Sequence, residues 1–185
     1  MTTENIPVQM VRDHLHDIPQ YSLPEPYTIR LYQPDDETNW FNIQAAADQY
    51  NLITQELFET ELGCDPKMLA ERQFYICDGA NRPIGTATAW FGEGDRQGWG
   101  RVHWVAVLPE QQGRGLAKPL LTVTCNRLHK FGYRRAYLTT ATARIPAICL
   151  YLKFGFRPDI RNEQEIEIWR RVREEIGPSY DGTIW

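Results

Sequence analysis

The stretch QGRGLAKPLL (residues 112–121) sets two glycines and two cations, Arg114 and Lys118, in front of an apolar run of helical character. Its reading decides the fold, because a glycine turn that opens a helix is a device for holding an anion. A dinucleotide-binding turn requires G-x-G-x-x-G, and Lys118 stands where the third glycine belongs. A P-loop requires G-K-[ST] at its close, and no such tripeptide follows. The neighbouring elements must therefore say what the turn serves.

Immediately upstream, RVHWVAVL (101–108) is rich in β-formers and apolar on both faces, the pattern of a central strand. Downstream, Leu116, Leu120, Leu121, Cys125 and Leu128 recur at helical spacing, and Gly132 ends the helix. RRAYLTT (134–140) reads as the next strand. ARIPAICLYLKFGF (143–156) reads as a short helix stopped at Gly155, with Phe156 opening a final strand. Further upstream, QFYIC (73–77) and PIGTATAWF (83–91) form a hairpin about DGANR. YTIRLYQ (27–33) is the expected first strand. Helices are expected within 34–50, where Trp40, Ile43 and Ala47 make a stripe, over 54–62, and after the Asp65-Pro66 pair, a good cap and first turn. Residues 163–176 set Ile166, Trp169, Val172 and Ile176 at helical intervals. Residues 1–25 lack periodicity and contain Pro7, Pro19 and Pro24, so they read as an extension. One domain is expected over 26–176 and a tail over 177–185.

Composition narrows the function. A net charge of −4 supplies no global basic field for nucleic acid or anionic lipid. The basic run RLHKFGYRR (127–135) is interleaved with apolar positions and reads as a solvated helix face. No apolar run approaches the roughly 20 residues of a membrane span, and the N-terminus lacks a secretory pattern. Cys64, Cys77, Cys125 and Cys149 form no C-x-x-C and the four histidines show no ligand spacing. No metal is expected, and a cytoplasmic location is.

The order strand, glycine turn, helix, strand, helix resembles the GCN5-related N-acetyltransferases. Gln112, Gly115 and Ala117 are in register with that superfamily's acyl-CoA signature, [RQ]-x-x-G-x-[GA]. AICLYLKFGF (147–156) is similar to its second signature, A-x-x-L-Y-x-x-x-G-F. The resemblance covers roughly residues 26–160, and RIPAICLYLKFGF (144–156) also looks like members related to mycothiol synthase. It implies an α/β fold: a mixed, mostly antiparallel twisted sheet with helices on both faces and a splayed central strand pair. Three departures stand out. Arg144 replaces a frequent Asn, Pro119 falls near the fourth helical position, and the usual last strand is not plain over 161–176.

The resemblance gives the opening turn a physical task. Positive φ at Gly113 and Gly115 turns consecutive N–H groups toward one spot at the positive end of a helix dipole, and the diphosphate of acetyl-CoA fits there. Gln112, Gly113, Arg114, Gly115, Leu116, Ala117 and Lys118 are thus candidate cofactor-binding residues. The main chain of Val105, Ala106 and Val107 is expected to pair with the pantetheine arm as an added strand does, and Arg144 to help hold the cofactor. The acceptor is expected to be an amine of a small molecule or peptide. An alkyl amine of pKa about 10.4 is neutral only about 1 part in 10³ at pH 7, so a base is wanted. His103, two residues before the pantetheine segment, matches the place where serotonin N-acetyltransferase has a histidine; Glu93 is the second candidate. Tyr151 matches the family's acid, and it stands roughly 110° from the centre of its helix's apolar stripe. Trp90, Phe91, Trp99 and Trp104 either wall an acceptor pocket or pack the core. A homodimer is compatible with the sequence. Transfer of another acyl group, an oxygen acceptor, and a CoA-binding module without catalysis remain open.

Overall fold

The computed structural model describes residues 4–177. In chain order it contains β1 (Pro7–Arg12), β2 (Thr28–Leu31), α1 (Asp36–Ala47), α2 (Gln55–Leu62), α3 (Pro66–Arg72) and the hairpin β3 (Gln73–Cys77) and β4 (Pro83–Phe91). Then come β5 (Gly100–Val107), α4 (Ala117–Lys130), β6 (Ala136–Ala141), α5 (Ile145–Lys153), the short β7 (Arg157–Pro158) and α6 (Glu163–Ile176). Local chemistry sets several starts. The Thr54 hydroxyl accepts from the Leu57 N–H to cap α2, and the Asp65 carboxylate accepts from Lys67 and Met68 to cap α3. Pro119 lies in the first turn of α4, where an absent N–H removes a donor that no intrahelical acceptor awaits.

The strands form one sheet in the order β2-β3-β4-β5-β6-β1-β7. Neighbours run antiparallel except β5 with β6, which are parallel and joined through α4. Helices cover both faces. Leu121 and Leu128 of α4, Ile148 and Leu152 of α5 and Trp169 of α6 pack with Met10, Val102 and Leu138. Trp40 and Ile43 of α1, Phe58 and Leu62 of α2 and Leu69 of α3 pack with Tyr75, Trp90 and Ala106 on the other face. This is the α/β arrangement expected from the sequence.

Two irregularities of β5 shape the centre. It pairs with β6 only at Gly100↔Ala136 and Arg101↔Tyr137, after which both strands run on without pairing each other. The sheet therefore opens as a wedge toward Val107. On its other edge β5 carries an extra residue: Thr86 faces Ala106 and Thr88 faces His103, two steps against three. Trp104 absorbs the excess at φ 49, a conformation a bulky side chain rarely adopts. The side chain of Gln44 on α1 donates to the Trp104 carbonyl at 2.9 Å and braces it.

The segment read as an extension behaves differently. Within residues 1–25, β1 pairs with β6 from Pro7↔Ala141 to Arg12↔Ala136 and with β7 at Met10 and Val11. Val8, Met10, Val11 and Arg12 are all buried. A strand flanked on both sides and covered on both faces shows no clean alternation, which hid it in the sequence. The strand expected from Phe156 is reduced to two residues, and residues 163–176 are helical as read. Of the expected tail, only Gly177 lies within the described residues.

No helix among the described residues is long and apolar enough to cross a membrane. Folding does gather one exposed group of potential metal ligands that spacing alone did not suggest, His14, His16 and Asp17. Asp17 is already engaged by the buried Arg12 and by His14.

Candidate active site

The turn after β5 has the geometry of an anion cradle. Gly113 and Gly115 have φ of 75 and 79. A Cβ added at either would meet no atom within 4 Å, so glycine is required by conformation and the space above the turn is open. The N–H groups of Gly113, Arg114, Gly115, Leu116 and Ala117 donate to no described protein acceptor, and no side chain caps α4. Unpaired donors at a helix N-terminus are what a phosphate oxygen requires. Gln112 plays another part: its amide donates to the Val107 carbonyl at 2.9 Å and ties the turn to the end of β5. Arg114 is exposed and donates to the Tyr27 hydroxyl, while the Lys118 ammonium lies 5.2 Å over the Tyr21 ring.

A cleft of about 650 Å³ runs from this cradle into the wedge. Val105, Ala106 and Val107 line one wall and Pro146, Ala147, Leu150 and Tyr151 the other. Because β6 leaves β5 after Arg101, these positions of β5 have no strand neighbour on the cleft side. Tyr151 is 7% exposed and its hydroxyl has no described hydrogen-bond partner. Burial pushes the phenol up to about 12, with the nearby Arg144 charge pulling the other way.

His103 points elsewhere. Its side chain is buried on the α2 side of β5, and Nε2 lies 3.1 Å from Glu61 Oε2. The contact is close but off hydrogen-bond geometry, so Nε2 has no formed bond, and the pair is ionic only when the imidazole is protonated. Burial holds the imidazole below its ordinary pKa, more than Glu61 raises it, so it is neutral at pH 7. The His103 contact, with the Trp104 indole donating at 3.1 Å, draws the Glu61 carboxyl down to about 2. Glu93 is taken up by Arg101 at 3.1 Å.

Across the cleft, α1 and α5 are joined by an ion pair. Arg144 Nη2 donates to Asp48 Oδ2 at 2.8 Å, and its guanidinium stands 5.7 Å from the centre of the Tyr50 ring. Asp48 also accepts from the N–H groups of Tyr50 and Asn51 and from the Asn51 amide, so one carboxylate shapes the loop after α1.

The fold thus brings the cradle, Val105 to Val107, Lys118, Arg144 and Tyr151 to a single cleft, and leaves His103 and Arg114 outside its lining. The four aromatic residues near the hairpin do not line it either: Trp104 packs edge-on against Trp40, Trp90 against Phe91, and Trp99 takes the Arg96 and Arg135 cations. Gln44, Asp48, Tyr50 and Glu61 escaped the sequence reading. Each lies in or just after a helix with no motif around it. Only the acidic residue directly after the α1 stripe hinted at a loop anchor.

The chain is similar to known acetyltransferases in sequence and in fold. The sequence profile described as the acetyltransferase (GNAT) family matches residues 10–156. A mycothiol acetyltransferase of Streptomyces bingchenggensis is 31% identical over 146 residues, covering 76% of this chain and 46% of the relative. One from Renibacterium salmoninarum is 29% identical, covering 80% and 46%. The chain spans about half the length of the curated relatives it matches. Among solved structures, a GCN5-related N-acetyltransferase from Sphaerobacter thermophilus superposes with a TM-score of 0.67 at 22% identity, over 84% of this chain and 49% of that one. The ribosomal-protein-S18-alanine N-acetyltransferase of Escherichia coli gives 0.56 at 21%, over 70% and 76%.

Proposed function

The chain belongs to the acetyltransferase (GNAT) family, and on that premise we propose that it moves an acetyl group from acetyl-CoA to an amine by direct transfer. The observation that carries the proposal is the row of unpartnered N–H groups from Gly113 to Ala117 at one end of a cleft whose other end holds a phenol. The cradle takes the diphosphate, with Lys118 at its rim. The free edge of β5 at Val105 to Val107 offers main-chain groups to the amides of the pantetheine arm. The thioester then lies toward Tyr151.

The acceptor nitrogen attacks the thioester carbonyl, forming the C–N bond. The C–S bond breaks, sulfur leaves with its electron pair as thiolate, and the amine gives up a proton. Burial pushes the Tyr151 phenol up to about 12, further above a thiol than an exposed phenol lies, so handing its proton to sulfur is uphill. It therefore works as a hydrogen-bond donor that keeps its proton and shields the departing charge. His103 beside Glu61 is the reading for the base, and because neither residue lines the cleft the amine proton reaches the neutral imidazole through water. His103 sits below its ordinary 6.5, so it remains a competent base above that value, and the acid limb of kcat/KM falls below pH 6.5. The name of the mycothiol acetyltransferase relatives supports acetyl as the group moved. Four free cysteines fit a reducing, cytoplasmic setting.

A module that binds CoA without catalysis needs only the cradle and the strand edge. The buried phenol in the cleft favours the enzyme. Titration calorimetry with coenzyme A and thiol release from acetyl-CoA over an amine panel test the proposal. Absence of coenzyme A binding at millimolar concentration removes it, and binding without thiol release for any amine leaves only the module.

A further inference from the structure

Arg144 is the charged residue whose position the cofactor does not explain. Coenzyme A carries its phosphates at the end that meets the cradle, and its thioester end is neutral. Arg144 lines the cleft on the side of Tyr151: it pairs with Asp48 just after α1, stands beside Tyr50, and supplies the cation felt at Tyr151. An anion that meets it there before the thiolate forms has to arrive with the acceptor.

The side chain is also prepared for one. A guanidinium has five N–H donors, and among the described residues a single one, on Nη2, has a partner. The side chain is 32% exposed, and neither of its unpartnered nitrogens, Nε and Nη1, is sealed from solvent. Asp48 offsets the charge only in part, because the same carboxylate, 5% exposed, also serves three donors from Tyr50 and Asn51. A planar fork fixed along one edge and open along the other is suited to bidentate contact with a carboxylate.

We propose that Arg144 binds a carboxylate carried by the acceptor close to its amine, so that the acceptor class is the small amino acids rather than simple amines or peptide N-termini. The inference rests on the acetyl-transfer reading only for the word acceptor; it concerns binding. Asp48 is the positioning residue, holding the guanidinium in the cleft and moderating its charge.

Matched pairs test it: L-leucine against L-leucinamide and L-phenylalanine against L-phenylalaninamide, titrated calorimetrically into the full chain saturated with coenzyme A. The acid of at least one pair binds roughly tenfold or more tighter than its amide. Arg144→Gln removes that preference, whereas Asp48→Asn, which keeps the Oδ1 acceptor for the loop, enlarges it. A merely structural ion pair would move both variants the same way. No preference for the acid in the wild type, whether both members bind alike or neither binds, overturns the proposal. So does a loss in Arg144→Gln that falls equally on acids and amides, which would assign the cation to the leaving thiolate. Thiol release is followed in parallel. If it is absent while the acid preference persists and depends on Arg144, acetyl transfer fails and the anion site stands.

Discussion

The two ends of the cleft are made differently. The proposed cofactor end is a contiguous stretch, residues 112–118, that offers main-chain N–H groups turned by two glycines at positive φ. The proposed acceptor end draws on Gln44, Asp48 and Tyr50 of the α1 region and on Arg144 and Tyr151 at α5, while Glu61, His103 and Trp104 lie outside the cleft lining. At the first, side-chain identity matters little beyond the two glycines and the Gln112 amide that ties the turn to β5. At the second, identity is everything and sequence proximity is nothing. The difference teaches that a cofactor shared by a family can be held by backbone geometry, while an acceptor particular to one member requires side chains from several elements.

The contrast is broken most directly at Gly115. A β-branched side chain at φ 79 strains the turn by about 1–3 kcal/mol and turns the N–H groups off target. Gly115→Val lowers coenzyme A affinity on the order of 100-fold by calorimetry, whereas Lys118→Ala, a cation at the solvent rim, costs about tenfold or less. Equal losses would show that side-chain charge, not the main chain, holds the diphosphate.

Tyr151→Phe sharpens the boundary between the two ends. It lowers kcat roughly 100-fold in thiol-release assays, with a much smaller effect on coenzyme A affinity. An unchanged kcat would remove the phenol from the reaction.

Next in size is Gln44→Leu, which leaves the Trp104 carbonyl without its donor. The strained bulge relaxes, stability falls by about 1–3 kcal/mol in denaturant titration and turnover by about tenfold. Full turnover would show that the bulge stands without α1.

The smallest effect is acid sensitivity. Glu61 titrates near 2 when folded and near 4.5 otherwise, so its stabilising share is complete above pH 4.5 and is lost as pH falls toward 2. His103 has the same sign: its folded pKa is depressed, so stability declines as pH drops below 6.5. Glu61→Gln flattens the loss between pH 5 and 3 by about 1 kcal/mol or less, given its partial exposure. An unaltered pH dependence would detach Glu61 from His103.

What the sequence by itself determined follows from local rules. The Asp65-Pro66 cap, the β3–β4 hairpin, the glycine cradle and the position of Tyr151 are each stated within a few consecutive residues, and the chain obeys them. Tertiary structure alone decided the rest. It placed β1 inside the sheet, where burial of both faces erases the alternation that marks a strand. It turned His103 toward Glu61 through one extra residue at Trp104, since a bulge changes which face a strand side chain meets. It also set Asp48 against Arg144, ninety-six positions apart, because two charges meet across a cleft only after the walls that carry them have packed.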